Sequence, residues 1–468
     1  MIYAHSSNGS SNALAGQENN HSGMATAPVP IPVPSKVGLS RRWLRTILIA
    51  AILSFVGKVV IASRTFGSTD ALLWEANLQE LREAGPVALY ENGTVLRRNL
   101  VPYHAEVFNH PPFTIRLLWL GGWLSKHTRM PLRFWLRAGC AAADLASLIL
   151  ILRIVRGTRL FVSPLALLLV AASPISLLIS GFHGNTDPIM IAFLLLAAYW
   201  VHREDPLRAG AALGLAAGIK IVPLLFAPAL ALCLPGRKRA VFLAGAVGVF
   251  FTGSLPLIID HPGLIWSHVF GYTPQTGIWG ISRFVAALGA ETQALTYAHF
   301  AKGFLLVALG VISVWLNLHR PQPPIVLQCG LLAFVLIWLA PGFGVQYLAW
   351  LAPWACLLSG RQAAAFQGIG GLFLTWYYTE GAHGFPWYLA NSAATQVWHG
   401  PLIFVGLLCW LVIGWLTFAI LHRIVDLTEL EATPLCPGNC NLGASGSSYP
   451  AADLHAFSFR RCRWRITR

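Results

Sequence analysis

The side chains able to do chemistry are confined to a few polar stretches between long apolar blocks. The stretch SRTFGSTDALLWEANLQELREAG, from Ser63, places Asp70 about one and a half helical turns beyond the first apolar block. A carboxylate there is half desolvated, which raises its pKa toward that of a general base, and a nearby cation would keep it ionised. Asp70 equally suits capping of a helix over 71–84, with Ser68 and Thr69 as fellow cap formers. Glu75, Glu80 and Glu83, beside Arg82, read as that helix's solvated face.

FNHPPF, at 108–113, is a stiff turn that aims His110 at a sugar or a phosphate, although a satisfied loop histidine would look the same. In GFHGNTDP, at 181–188, Gly181 and Gly184 permit close backbone approach while His183, Asn185 and Asp187 project polar groups at a helix mouth. Asp187 before Pro188 is also an ordinary helix start; as a ligand it would suit a divalent metal such as Mg or Mn. LGLAAGIKIVPLLFAPAL, at 213–230, must turn back near Lys220 to Pro223, leaving Lys220 at the tip to meet a lipid phosphate or to snorkel to headgroups. DHPGLIWSHVFGYTPQTGIWGISRF, at 260–284, offers Tyr272 and Trp279 as faces for a sugar and Arg283 as a fork for phosphate oxygens. An aromatic interface belt would share that composition. PGFGVQYLAWLAP puts Gln346 and Tyr347 at a further mouth.

The elements that must position these residues are membrane helices. Of 468 residues, 56% are hydrophobic and only 11% charged, with mean hydropathy +0.60, which excludes disordered, fibrous and disulfide-stapled secreted classes. Apolar blocks predict spans over 43–63, 135–152, 160–180, 187–201, 209–220, 222–235, 239–259, 298–318, 325–340, 344–359, 363–379 and 400–421. The expected fold is an all-α polytopic bundle of about twelve transmembrane helices, some of them broken. Residues 113–125 are apolar but short and carry Arg116. Treating them as a helix lying at the interface puts Arg153, Arg156, Arg159, Arg203, Arg208, Arg237, Lys238, Arg239, Arg320, Arg361 and Arg423 on one side with Arg41, Arg42 and Arg45. The net charge of +15 is thus positive-inside topology and not a nucleic-acid face.

Both termini are then cytoplasmic, and the carboxylates gather on the extracytoplasmic side. Residues 1–40 read as a disordered leader without a signal-peptide core, 41–423 as the membrane domain with large outer loops at 64–134 and 260–297, and 424–468 as a disordered cytoplasmic tail. Five of eight cysteines lie inside apolar blocks, and CPGNC in the tail lacks a matching pair for zinc. Asp144 and Lys58, inside predicted spans, need partners and could pair with one another.

No outer loop is long enough to fold a nucleotide-sugar domain, so an activated donor must come through the bilayer, as a lipid-phosphate sugar would. The first-loop Asp, HGNTD, GLAAGIKIVPLLFAP, GIWGISRF and GVQYLAW, in this order over about 43–421, resemble the GT-C polyprenyl-phosphate-sugar glycosyltransferases. The chain is most similar to glycosyltransferase family 87, the polyprenol-phosphate-mannose-dependent mannosyltransferases, and GNTD also resembles the GPI mannosyltransferase I catalytic subunit.

The resemblance implies inverting transfer of a hexose, with mannose expected, from a polyprenyl-phosphate sugar to a lipid or glycan acceptor. Asp70 takes the place of the first-loop catalytic acid, and the interfacial helices frame the donor tail. A single Asp stands where the pattern has a pair. A multi-pass protein of a bacterial inner membrane is expected. The alternative is a secondary transporter of about twelve spans, although polar residues cluster at one membrane face and no internal repeat is evident. A lipid-linked oligosaccharide ligase or polymerase would share the same pocket logic.

Overall fold

The computed structural model describes residues 39–95, 105–106, 108–158, 160–271, 279–318, 322–342, 344–391 and 400–432. Tyr272 and nearly all of both terminal segments lie outside them. The first span is α1 (Arg41–Arg64), opened by Ser40, whose hydroxyl accepts from the Trp43 amide. A two-residue strand β1 (Gly67–Ser68) follows, then α2 (Thr69–Glu83) and α3 (Gly85–Asn92). A small antiparallel pair, β2 (Thr94–Val95) with β3 (Ala105–Glu106), leads to α4 (Phe113–Thr128).

This last helix buries Ile115, Leu118, Gly121 and Gly122 against the protein while Trp119, Leu120 and Trp123 stay exposed. It is not among the described helices long and apolar enough to cross a membrane, and its two faces suit the expected place at the interface.

Next come α5 (Leu132–Gly157), α6 (Pro164–Ala171) and α7 (Pro174–Leu178), the last continuing as a π-helical turn over Ile179–His183. Then follow α8 (Asp187–His202), α9 (Pro206–Ile219), α10 (Ala227–Leu232), α11 (Arg237–Asp260), α12 (Pro262–Ile265) and α13 (Ile281–Ala287). The chain is completed by α14 (Glu291–Leu318), α15 (Ile325–Leu339), α16 (Leu348–Leu351), α17 (Gly360–Gly381), β4 (Leu389–Ala390) and α18 (Pro401–Ala432).

The expected count of about twelve spans, some of them broken, is not confirmed. Among the described residues six helical segments are long and apolar enough: Arg41–Arg64, Leu132–Gly157, Pro164–His183, Arg237–Asp260, Glu291–Leu318 and Pro401–Leu427. Asp187–His202, Pro206–Ile219, Val222–Leu232 and Ile325–Leu339 are apolar but shorter, and at about 1.5 Å per residue they fall short of a core about 30 Å thick. The block at 344–359 is three short pieces, a 3-10 turn over Val345–Tyr347, α16 and a 3-10 turn over Pro353–Leu357, so it does not form one span. At the other extreme α18 runs to Ala432, past the expected start of the tail at 424, because no glycine or proline occurs between Gly414 and Pro434.

Two packing devices hold the bundle together. Gly210 and Gly214 on α9 face α11, and a Cβ on Gly210 would lie 2.0 Å from the Phe242 carbonyl oxygen, one on Gly214 2.5 Å from that of Ala246. Only hydrogen fits between these backbones, the small-residue packing of membrane helices. The second device is charge. Lys58 on α1 pairs with Asp144 on α5 at 2.8 Å, and Ser176 on α7 bonds to both. The sequence expectation for that pair is met, and its burial makes loss of either partner costly.

Candidate active site

The ends of α1, α7, α9 and α17 meet the starts of α2 and α8 at one end of the bundle. Asp70 lies in the first turn of α2, but the capping falls to its neighbour: the Ser68 hydroxyl accepts from the Asp70 amide at 3.2 Å and donates to the His183 carbonyl at 2.8 Å. The Asp70 carboxylate is therefore available for side-chain partners. Its Oδ2 accepts from His183 Nε2 at 3.1 Å and from Asn185 Nδ2 at 2.7 Å. The side chain remains 25% exposed, whereas that of His183 is 1% exposed, so Asp70 is the member of this group that can meet a substrate.

Burial alone would push the Asp70 carboxyl up. The neighbouring His183, the hydrogen bonds from His183 and Asn185, and the Lys220 charge outweigh it and bring the pKa down to about 2. On its far side His183 Nδ1 is bonded to the Tyr378 hydroxyl at 2.9 Å, from the last turn of α17. Because an ionised Asp70 only accepts, His183 Nε2 carries hydrogen. Nδ1 then accepts from Tyr378 in the neutral ring and donates to it in the charged one.

A second charged group stands beside the first. Lys220, in extended conformation just past α9, places its ammonium 2.7 Å from Asp187 Oδ1 and 4.9 Å from the centre of the Tyr347 ring. Trp350 stacks on Tyr347 with ring centres 4.3 Å apart and donates its indole N–H to the same Asp187 oxygen at 2.6 Å. Asp187 Oδ2 is buried with no hydrogen-bond partner. His110 is half-buried near both groups; its Nδ1 lies 3.4 Å from the Ile219 carbonyl, and its ring lies 4.8 Å from that of Trp74. Burial, helped by the Lys220 charge, lowers its pKa to about 3, so it is neutral at physiological pH.

The donors do not suit a metal. Among the described residues no group of three or more His, Cys, Asp and Glu could hold one, and the ammonium on Asp187 repels a cation. Asp187 acts instead as the counter-ion of Lys220.

Arg137 is wholly buried behind the site. Its guanidinium donates to the carbonyls of Ala62 and Thr65 at 2.8 Å each and to those of Gly181 and Phe182 at 3.4 Å each, and to the Thr65 hydroxyl at 2.9 Å. It thereby caps the end of α1 and the π-helical turn together, which sets His183 against Asp70. Gly67 is needed at the same junction: at φ +108°, a Cβ there would lie 2.6 Å from the Phe182 carbonyl oxygen.

The structure thus brings together Asp70, His183, Asn185, Asp187, Lys220, His110 and Tyr347. Gln346 lies partly buried on the same turn as Tyr347. Arg283 sits on α13, where the Ser282 amide bonds to the Pro341 carbonyl at 2.9 Å, which holds that helix to the stretch leading into the Tyr347 mouth. Trp279 departs from expectation. It is fully buried, donates its indole N–H to the Gly406 carbonyl at 2.9 Å and packs on Phe373 with ring centres 4.9 Å apart, so no face is left for a sugar. Tyr378, Trp350 and Arg137 were missed, and only Trp350, one turn beyond Tyr347, carried a spacing signal.

Comparison with known proteins agrees with a membrane enzyme. The model of glycosyltransferase family 87 matches residues 108–376, more than half of the chain. Two crystal structures of ArnT from Cupriavidus metallidurans are among the solved structures to which the chain shows some likeness. The one bound to undecaprenyl phosphate has 13% identity and a TM-score of 0.45 over 84% of this chain and 78% of that one. The apo form has 14% identity and a TM-score of 0.43 over 81% and 76%. No curated protein sequence matches the chain significantly. The chain belongs to glycosyltransferase family 87, and with its apolar spans it is a multi-pass membrane glycosyltransferase. The transporter alternative falls with that membership.

Proposed function

We propose that this enzyme moves a hexose, mannose being the expected one, from a polyprenyl-phosphate sugar to a hydroxyl of a lipid or glycan acceptor. The reaction takes place at the extracytoplasmic face of a bacterial inner membrane, with both termini in the cytoplasm. The observation that carries this reading is one partly exposed carboxylate, Asp70, held ionised by His183 and Asn185 beside the buried Lys220–Asp187 pair.

In the reaction Asp70 accepts the acceptor's hydroxyl proton as that oxygen attacks the sugar's anomeric carbon. The bond from that carbon to the phosphate oxygen breaks, its electron pair leaves with the phosphate, and the single displacement inverts the centre. His183 and Tyr378 spread the proton's charge behind Asp70. Lys220 offers its ammonium to the departing phosphate, with Arg283 as a second donor and Asp187 as the balancing charge. Tyr347, Gln346 and His110 border the donor. The donor's polyprenyl tail reaches the site along α4, whose exposed Trp119 and Trp123 meet lipid. Membrane lipids are thus partners, and no nucleic acid is required.

Asp70→Asn is the direct test. Membranes carrying it, fed radiolabelled polyprenyl-phosphate mannose or glucose, should lose transfer by about 10²- to 10⁴-fold at unchanged protein level. Retained transfer would remove Asp70 from the mechanism. The sugar that labels membrane lipid with the wild-type enzyme identifies the donor.

A further inference from the structure

The segment after α17 is fastened to the catalytic strand. β4 pairs in parallel with β1, in register Gly67 with Leu389 and Ser68 with Ala390. Just before it, the Tyr388 carbonyl accepts from the amides of Phe66 and Gly67 at 2.8 and 3.0 Å. Trp387 turns inward, its ring 5.4 Å from Phe182 and 5.9 Å from Tyr378, the residue bonded to His183.

Two neighbours turn outward. Phe385 is 78% exposed and Tyr388 60% exposed. Phe385 meets Trp387 edge-on at 5.5 Å, and Tyr388 meets Phe66 edge-on at 6.3 Å, so each keeps an open face. Exposed rings on a segment tied by backbone hydrogen bonds to the residues just before Asp70 are both pre-positioned and unsatisfied. Such faces suit the C–H surface of a pyranose ring.

We propose that Phe385 and Tyr388 form the acceptor subsite, stacking on a sugar ring of the acceptor and presenting its hydroxyl to Asp70. This rests on the transferase reading and adds that the acceptor is a glycoside and not a bare lipid alcohol. The side chains compete with no hydrogen bond of the Asp70 cluster, so their loss acts on acceptor binding and leaves the base intact.

Purified full-length protein in detergent tests it by two routes. Saturation-transfer NMR with octyl α-mannoside and octyl β-glucoside should show saturable contact at the pyranose protons for the wild-type chain and for Asp70→Asn. That contact should weaken about tenfold when Phe385→Ala and Tyr388→Ala are combined. Tyr388→Trp should restore most of it. In the transfer assay the double variant should raise KM for the glycoside that accepts, with donor KM unmoved.

Equal contact in wild type and double variant, or none in the wild type with either glycoside, overturns the proposal. A loss of membrane insertion with unaltered glycoside contact also overturns it, assigning the rings to the lipid interface. Loss of contact in the double variant alongside retained transfer by Asp70→Asn would sink the assignment of the base and leave the subsite standing.

Discussion

Asp70 draws its character from neighbours that the sequence displays only in part. GNTD stood out because polar residues are scarce in an apolar chain, and the structure does bring His183 and Asn185 to Asp70. Tyr378 could not be recognised, since an aromatic residue near the end of an apolar helix looks like any core residue until its hydroxyl is seen 2.9 Å from His183. Trp279 misled for the reverse reason: an indole suits a sugar or a core equally, and burial decides. Because His183 and Asn185 lower the Asp70 pKa while burial raises it, removing either partner leaves the raising influence in place. A base must be ionised, so activity is lost as pH falls through its pKa. With that pKa at about 2, the wild-type kcat/KM should lack an Asp70 limb above pH 4. His183→Gln and Asn185→Ala should each move such a limb to higher pH. The pH–rate profile of kcat/KM checks it, and an unmoved limb would deny the partners their role.

Helices were legible where apolar blocks were long, and most predicted spans coincide with helices within a few residues. What was not legible was continuity: 344–359 has the composition of a span, but Pro353 and the aromatic turn at Tyr347 divide it. Nor could the β1–β4 pair be foreseen, because two-residue strands carry no alternation and their partners stand at opposite ends of the sequence. The turn at Lys220 was foreseen, and α9 owes its position to Gly210 and Gly214. Gly214→Leu forces a side chain against the α11 backbone, which cannot yield as a flexible side chain would. It should cost about 1–3 kcal/mol and lower the thermal midpoint of the detergent-solubilised protein. Gly248→Leu, on the same α11 but with open space around its Cβ, should leave that midpoint near wild type.

Across the whole molecule a set of arginines at helix ends lies opposite the working carboxylates. Arg41 opens α1, Arg156 closes α5, Arg237 opens α11 and Arg361 begins α17, while Asp70, Asp187 and Lys220 meet at the other end. Loop charges lead the sequence to expect these two ends on opposite sides of the membrane, with one short helix, α4, deciding the parity of every later segment. Membrane-impermeant maleimide should therefore label Glu91→Cys in intact cells and Arg208→Cys only in inverted vesicles, with Cys436, Cys440 and Cys462 replaced by serine. The opposite result would invert the proposed sidedness. The pairing of β1 with β4 has a temporal consequence as well. A growing chain inserts Asp70 early, yet the strand that braces it, at Leu389–Ala390, and the tyrosine behind His183, Tyr378, come from segments made much later. A polypeptide not yet made as far as β4 thus carries the acid without its support, and the enzyme is armed only once that strand has emerged.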